Sequence, residues 1–580
     1  MMGARVVGPM RAVSAWFASG VIVALLSFGV YVATLSAHPS WDSLRYAAMI
    51  AFDTPAGLVS AHHLLGGPLA YGIYRVARLL GVGIEPLRIL QMTSALSGAV
   101  AVGGLCALLR RVGAGTGVAV SAAMGLASSL AFWDVATDGE VYALAAAMLV
   151  AAWWALLGNS SPFEPVGFFG ATDSLLWKRR AREDFGDGSF RQIPLNPPFP
   201  KGETSIPALE TSLPRLSFAR IARPSVCAGA FAAVATLGHQ FNAVVVFASP
   251  LWFRRCEHRC RLVAAYLTGF CAVVVPGYLL AWHVSSWAHS WHGLYAWVTQ
   301  YLHLGLHFPP RDHMRGALYG FLASLVPLPA GLGSAGGGRL PLFAADVITL
   351  TVLATVCIVG WRSTRAEERG PASGLSAVAA IAAVVLAAWW EPNSRKFWVP
   401  ALVCGWLAIG LALARLAGAR VVALALTVMA LASLNLGAMI LSRADPTSNP
   451  FPATARQIAA ITAAADLIVV GSDLLGPSLA YYGARPHVTN VFALALDAKY
   501  RGRNVRQQLR QAIDEARRRG GRVFVSSDAL GLPPDRRAMV SDLPGTIDDL
   551  MAPMRVRPAL AYSVGGIART LLEVNVNEGP

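Results

Sequence analysis

Long apolar runs, separated by short polar stretches, dominate the chain from about residue 15 to residue 442. A helix needs roughly 20 apolar residues to cross the hydrocarbon core of a bilayer, and many of these runs approach that length. The pattern therefore predicts a polytopic membrane protein. The strongest candidate spans are 15–36, 88–109, 115–132, 140–157, 262–283, 341–360, 374–390, 398–414 and 421–442.

Three further apolar segments do not fit this regular pattern. Ser225–Phe253 is too long for one span and is interrupted around His239, so we interpret it as two short helices that meet near one surface. Leu64–Leu80 contains two arginines, and Gly316–Gly331 is broken by two prolines. We interpret the last of these as a segment that dips into the membrane from the outside.

Basic residues orient the spans, because cytoplasmic loops of membrane proteins are rich in Lys and Arg. The arginines before the first span place the N-terminus in the cytoplasm. If Leu64–Leu80 is an amphipathic helix on the outer surface, Arg110, Arg111 and the basic 158–222 segment also fall inside. We therefore expect about eleven transmembrane helices, with the C-terminal part extracytoplasmic.

Composition agrees with a chain that uses lipid as its solvent. Hydrophobic residues make up 55% and charged residues only 14% of the sequence, whereas soluble domains carry about 25% charged residues. This excludes a soluble enzyme. The net charge of +16 is mostly arginine, and no basic stripe alternates with aromatics as in nucleic-acid-binding proteins, so we expect no nucleic-acid partner.

The chain divides by composition into transmembrane and polar parts. We expect an N-terminal transmembrane module with the first outer loop (1–157), a disordered cytoplasmic insertion (158–222), a second transmembrane module (223–442) and an extracytoplasmic domain (443–580). In the last part, Ala465–Ser472 and Arg522–Ser527 resemble buried strands, and Asn504–Arg519 resembles an amphipathic helix. The predicted fold class is an all-α polytopic membrane protein with a small C-terminal α/β domain.

Candidate chemistry lies where polar groups meet the outer surface. Asp42 follows the first span, and an acid at that depth is costly unless it is solvated or paired. His62 and His63 lie further along the same loop, Glu140 opens another apolar run, and His239 marks the break in the long apolar stretch. Freed backbone groups at such a break often line a cavity.

Several of these residues carry a family resemblance. An acid after the first span, a following His–Gly–Pro stretch and the motif Glu140-Val-Tyr-Ala-Leu144 resemble bacterial protein-O-mannosyltransferase-like families of the GT-C superfamily. Leu237–Asn242 and the turn Trp390–Trp398 are partial matches, and the resemblance covers roughly residues 15–440. It implies a glycosyltransferase that takes a sugar from a polyprenyl-phosphate donor and passes it to a protein, lipid or polysaccharide acceptor.

This chain departs from the family pattern near Asp42. Such families often have a second acid two or three residues after the first, where this chain has Leu44 and Arg45. A paired-carboxylate site would have to take its second member from elsewhere. The candidates are Asp53, Asp138 and Glu140.

Glycosyl transfer from a lipid phosphate sets the roles that these residues are expected to have. A carboxylate takes the proton of the acceptor, and positive charge from arginine, lysine or a divalent cation stabilises the departing phosphate. We expect no nucleotide cofactor, because the leaving group is the lipid phosphate. The catalytic candidates are Asp42 and Glu140, and the candidates for binding the lipid phosphate are His62, His63, His239, Glu391, Arg395 and Lys396.

Each candidate also has a structural interpretation. Glu140 fits a capping box with Thr137, the histidines fit interfacial polar groups, and Arg395 and Lys396 fit anchors of a short loop. Two alternative functions stay open as well: a transporter or flippase, and a GT-C-like scaffold without catalysis. Transporters usually contain internal repeats, and the sequence shows none.

Overall fold

A computed structural model of the chain describes residues 9–157, 218–243, 253, 258–285, 289–299, 310–328, 340–363, 371–391, 394–414, 416–471, 474–494, 505–530, 555–564 and 566–575. The insertion expected at 158–222 lies outside these residues except at its end, where a helix already begins at Phe218. The second short helix expected before Phe253 and the end of Gly316–Gly331 also lie outside them.

Up to residue 435 the described chain is helical. The α-helices are α1 Pro9–Ala33, α2 Trp41–Ala51, α3 Gly66–Leu79, α4 Pro86–Arg111, α5 Thr116–Ser128, α6 Leu130–Asp138, α7 Tyr142–Leu157, α8 Phe218–Gly238, α9 Arg259–Val284, α10 Trp291–Thr299, α11 Pro310–Leu325, α12 Leu340–Ser363, α13 Pro371–Trp390, α14 Val399–Ala412 and α15 Ala419–Asn435. A 3₁₀ turn, Arg395–Trp398, leads into α14, and a π-helical turn, Leu436–Ile440, joins α15 to the short helix α16 Leu441–Ala444.

Among the described residues, five helices are long and apolar enough to cross a membrane, and the bent pair α5–α6 would make a sixth. The shorter helices Tyr142–Leu157, Ala344–Val359 and Ser376–Trp390 are also apolar. The chain is therefore a multi-pass membrane protein. The expected total of about eleven spans stays a prediction.

Glycine allows two helix pairs in the bundle to approach closely. A Cβ on Gly103 of α4 would lie 2.5 Å from the carbonyl oxygen of Gly20 on α1, and a Cβ on Gly229 of α8 would lie 2.0 Å from that of Tyr266 on α9. Neither backbone could stay where it is with a larger residue. These crossings follow the small-residue packing by which membrane helices associate without a hydrophobic driving force.

A bend of 64° separates α5 from α6, within the apolar run that we expected to form one span over 115–132. Asn435, fully buried, donates from Nδ2 to the carbonyl oxygens of Ser128 at 2.6 Å and Leu325 at 2.7 Å. The indole of Trp406 donates to the Ser129 hydroxyl at 3.0 Å. These bonds satisfy polar groups at the break, and beyond it α6 continues to Asp138, further than the sequence predicted.

The C-terminal part contains a five-stranded sheet of order β2-β1-β3-β5-β4, in which β1 pairs in parallel with β2 and β3, and β5 pairs antiparallel with β3 and β4. The strands expected at Ala465–Ser472 and Arg522–Ser527 and the helix expected at Asn504–Arg519 are present, whereas β2 and the β4–β5 hairpin were not predicted. The elements are α17 Phe451–Ile461, β1 Leu467–Val470, α18 Leu475–Tyr482, β2 Val488–Asn490, α19 Val505–Arg518, β3 Val523–Ser526, α20 Ser527–Leu530, β4 Arg555–Val564 and β5 Ile567–Asn575.

Apolar side chains cover both faces of this sheet. Leu509 and Ile513 of α19 pack on one face, and Ile458 of α17 and Leu479 of α18 pack on the other. Helix α18 also packs against α2 in the first loop, and the Tyr481 hydroxyl accepts a hydrogen bond from the backbone at the start of α4. The sheet domain is thus attached to the part of the bundle that carries Asp42.

Candidate active site at one end of the bundle

The backbone just before Asp42 is held on several sides by distant parts of the chain. The amide of Ser36 donates to the Thr137 carbonyl at 3.1 Å, and the side chain of Gln91 donates to the Ser36 carbonyl at 2.7 Å. Arg443 accepts from the amide of Ala37 at 2.7 Å and donates from its guanidinium to the carbonyl of His38 at 2.9 Å. Asn449 donates to the Ala37 carbonyl. This loop therefore has one well-defined path into α2.

Helix α2 begins immediately after this loop and fixes the direction of Asp42. Ser40 caps the helix by accepting from the Ser43 amide, and the Ser40 amide in turn donates to both carboxylate oxygens of Asp138, at 2.9 and 3.1 Å. Asp42 lies in the first turn, with 17% of its side chain exposed. The inner face of α2 is buried, so Asp42 stays at the rim of the site.

Glu140 enters the site through a tight turn between α6 and α7. Gly139 has φ +93°, the left-handed conformation that glycine adopts without strain. The Glu140 side chain is 5% exposed, and its Oε2 has no hydrogen-bond partner. Helix α7 begins only at Tyr142, and Thr137 donates back to the carbonyl of Trp133. The capping-box interpretation of Glu140 is therefore wrong.

Lys396 joins the two acids. Its Nζ lies 2.9 Å from Oδ2 of Asp42 and 3.6 Å from Oε1 of Glu140, and it stands 5.6 Å from the centre of the Tyr142 ring, within cation–π range. Asp42 and Glu140 thus form the paired carboxylates that the sequence near Asp42 lacks. Asp138 adjoins them through Ser40, whereas Asp53 is exposed and pairs with Arg75 and Tyr71 on α3.

The two carboxylates differ in how strongly they hold a proton. Burial alone would raise the pKa of Asp42, but the neighbouring cations Lys396 and Arg45 lower it well below its usual range. Burial raises the pKa of Glu140, and the negative charge of Asp42 acts in the same direction, against the opposing effect of Lys396. The site therefore contains one carboxylate that stays ionised and one that binds a proton more readily.

Three histidine rings lie next to this pair, and those of His63 and His239 are buried. The loop before α3 and the turn after α8 are joined by hydrogen bonds from the Leu64 amide to the Leu237 carbonyl at 2.9 Å and from the Gln240 side chain to the Ala61 carbonyl at 3.0 Å. These contacts bring the rings of His63 and His239 to 5.3 Å between centroids. The ring of His62 lies 5.2 Å from that of His63.

His63 presents a neutral ring to the site. Its Nδ1 shares a hydrogen bond of 3.0 Å with the Tyr46 hydroxyl, and its Nε2 is buried without a hydrogen-bond partner. Burial lowers the pKa of His63 to about 4, and Lys396 adds to this effect. His239 stacks 4.4 Å from Tyr142, and Phe397 lies against both rings. An aromatic floor therefore supports Lys396 and the two acids.

Arg395 points away from Lys396 into a second ionic cluster. Its guanidinium lies 3.8 Å from Asp134 of α6, which also pairs with Arg443 at 2.6 Å. Glu391 follows α13 and interacts electrostatically with Lys396 and Asp42. The structure thus brings together Asp42, Glu140, Lys396 and the three histidines, and it directs Arg395 into a different cluster.

Two contributors were not among the sequence-based candidates. Tyr142 lies two residues after Glu140 within the Glu-Val-Tyr motif, so that motif was a usable signal. Arg443 follows the last span and looked like an ordinary basic flank of a membrane helix. Its contacts with the Ala37–His38 backbone, some 400 positions earlier in the chain, leave no local signal in the sequence.

Comparisons with known proteins find similarity in structure. No protein-family model matches the chain, and no curated protein matches its sequence. The crystal structure of ArnT from Cupriavidus metallidurans bound to undecaprenyl phosphate is 14% identical, covers 98% of this chain and 99% of its own, and has a TM-score of 0.50. The same protein in the apo state gives a TM-score of 0.48. An oligosaccharyltransferase from Archaeoglobus fulgidus gives 0.45 at 14% identity, with 96% of this chain and 74% of that one covered.

The chain is a multi-pass membrane protein with a polar site at one end of its helical bundle. Loop helices and the attached sheet domain lie at that same end. The full-length match to ArnT shows that this fold is the GT-C fold. The fold implied by the resemblance to the GT-C superfamily is therefore confirmed. The narrower resemblance to O-mannosyltransferase-like families stays a prediction.

Proposed function

We propose that this protein is a glycosyltransferase that moves a sugar from a polyprenyl-phosphate donor to a protein, lipid or glycan acceptor at the outer face of a bacterial inner membrane. The observation that carries the proposal is the pair of carboxylates, Asp42 and Glu140, that share Lys396 at the end of the bundle. The GT-C fold supports it, since the similar ArnT structure is described as bound to undecaprenyl phosphate.

The proposed reaction forms one bond and breaks another at the anomeric carbon of the sugar. The acceptor hydroxyl attacks this carbon while a carboxylate of the site takes the hydroxyl proton. The bond between the anomeric carbon and the phosphate oxygen breaks, and its electron pair leaves with the polyprenyl phosphate. Lys396 donates a hydrogen bond to that phosphate as its charge grows, with the neutral ring of His63 as a further donor.

The opposite pKa shifts of the two acids favour a different catalytic role for each. A general base works best when its pKa lies near the working pH, so the raised pKa of Glu140 favours it for taking the proton. We expected Asp42 in this role from its position alone. With its lowered pKa, Asp42 is better suited to stay ionised, to hold Lys396 and to balance charge on the sugar as the bond breaks.

Rival functions have weaker support. The scaffold hypothesis rested on the missing second acid near Asp42, and Glu140 supplies a carboxylate on the other side of Lys396. A transporter would place its polar groups near the middle of the membrane, whereas Asp42, His63 and Glu140 lie in segments between the long apolar helices.

The test compares lipid-linked sugars and surface glycans in a deletion strain that expresses wild-type or variant protein at equal abundance. Asp42→Asn and Glu140→Gln keep side-chain size and should lower transfer by about 10²–10⁴-fold. Asp53→Asn is the matched control: Asp53 has φ +55°, which asparagine tolerates, and it lies outside the site. Wild-type glycan levels in both the Asp42→Asn and the Glu140→Gln strains would contradict the proposed function.

A further inference from the structure

The strongest unexplained feature of the site is that its two acids converge on an ammonium group. Divalent cations such as Mg²⁺ need oxygen ligands at about 2.0–2.1 Å and several of them. Lys396 Nζ already lies 2.9 Å from Asp42 and 3.6 Å from Glu140. A metal ion bound to both carboxylates would have to lie within contact distance of this like-charged nitrogen.

Two other acids near the site, Asp138 and Asp134, are already engaged. Both carboxylate oxygens of Asp138 accept the Ser40 amide, and Asp134 pairs with Arg443 and Arg395. His63 shares its Nδ1 with Tyr46. Within the described ranges, no group of three or more His, Cys, Asp or Glu side chains has an arrangement that could hold a metal ion. The residues present therefore do not fit a divalent cation.

We propose that Lys396 takes the place that a divalent cation would have between two acidic ligands, so that this site stabilises a leaving phosphate with a cation of the protein itself. The lysine is suited to this because it is held from three sides, by Asp42, by Glu140 and by the ring of Tyr142. Arg45, one turn after Asp42, adds positive charge to the same end of α2.

This arrangement also links the cation to the base. When Lys396 donates to an incoming phosphate, its hold on Glu140 weakens, and a carboxylate without a cationic partner is a better proton acceptor. Binding of the donor would thus prepare Glu140 for the acceptor hydroxyl. This second step rests on the proposed function, whereas the exclusion of a metal ion does not.

The exclusion can be tested by titrating the purified full-length protein with Mn²⁺ and following the free ion by electron paramagnetic resonance. Wild type and Asp42→Asn should give the same curve, because Lys396 keeps the ion away. Lys396→Ala should gain about one Mn²⁺ site per chain, since carboxylates suit this ion, and the double variant with Asp42→Asn should lose it. If Lys396→Ala does not accumulate, Lys396→Gln removes the charge and keeps most of the stem.

Two outcomes would overturn the inference. One is a Mn²⁺ site in the wild-type protein that disappears with Asp42→Asn, and the other is no gained site after removal of the Lys396 charge. A transfer assay with EDTA-treated membranes gives the functional arm, in which wild type should be unaffected by the chelator. Loss of transfer in Lys396→Ala with partial retention in Lys396→Arg is expected if the cation acts on the phosphate. An absence of transfer in wild type would instead contradict the proposed function and leave the Mn²⁺ result intact.

Discussion

Glu140 holds its proton more tightly than an ordinary glutamate because it is buried, and this predicts how activity depends on pH. A general base works only when deprotonated, so transfer should fall as the pH drops through the raised pKa of Glu140. Initial rates measured in membranes from about pH 8 to about pH 4 should show an acid limb with a midpoint above 4.5, the ordinary glutamate value. The control variant Asp53→Asn should show the same loss of rate at acid pH. A rate that stays constant down to the ordinary value would exclude Glu140 as the base.

Single residues also show where sequence reasoning stops. Asp42, Glu140, His62, His63, His239 and Lys396 were recognisable as candidates because charged or polar side chains beside apolar spans are costly and tend to be kept for a task. Their pairing was not recognisable, because Lys396 lies 354 positions from Asp42 and no local rule links them. Arg395, next to Lys396 in sequence, faces a different cluster because successive side chains of the 3₁₀ turn Arg395–Trp398 point in different directions.

At the scale of helices, the position of α3 decides the topology. Its apolar residues Leu69, Ile73 and Val76 are exposed along one side, and Arg75 and Arg78 lie on another, as expected for a helix that lies in the membrane surface. If α3 lies outside, Gly83 before α4 is extracytoplasmic and Val112 after α4 is cytoplasmic. If α3 spans, the two positions exchange sides.

Single cysteines at these two positions distinguish the topologies after the native cysteines have been replaced. A Cβ at Gly83 meets no neighbouring atom within 4 Å, so the substitution is tolerated. A membrane-impermeant thiol reagent should label Gly83→Cys in intact spheroplasts and label Val112→Cys only after lysis. The reverse pattern would overturn the expected topology. An α3 that crossed the membrane would place Asp42 and Glu140, which both contact Lys396, on opposite sides.

Helices and strands were predictable to different degrees. Apolar runs gave the long helices, since a span in lipid must satisfy its backbone internally. The bend at Ser129 was hidden because the run stays apolar through it, and the bonds from Asn435 and Trp406 that hold it come from far along the chain. The β4–β5 hairpin was missed because Pro558 interrupts the strand pattern at the point where its register shifts.

For the whole molecule, we ask whether the sheet domain can fold without the bundle. The two apolar cores of this domain, on opposite faces of the sheet, consist of residues of the C-terminal part itself. Expressed alone from about Pro450, this part should therefore show a cooperative thermal melt by circular dichroism. Removing it from the bundle exposes the side of α18 that packs on α2, so a lower melting temperature than in the full protein is expected. A random-coil spectrum would show that the domain depends on the bundle.

The support of the Asp42 loop by Arg443 and Asn449 has a consequence for biogenesis. Domains are generally made and folded from the N-terminus during synthesis, so the loop leaves the ribosome long before the residues that fix its backbone. The nascent chain therefore carries Asp42 without its final geometry until the last apolar helix has been inserted. Completion of the site is therefore a late event of assembly, and a chain that terminates before Arg443 should insert into the membrane without a complete site.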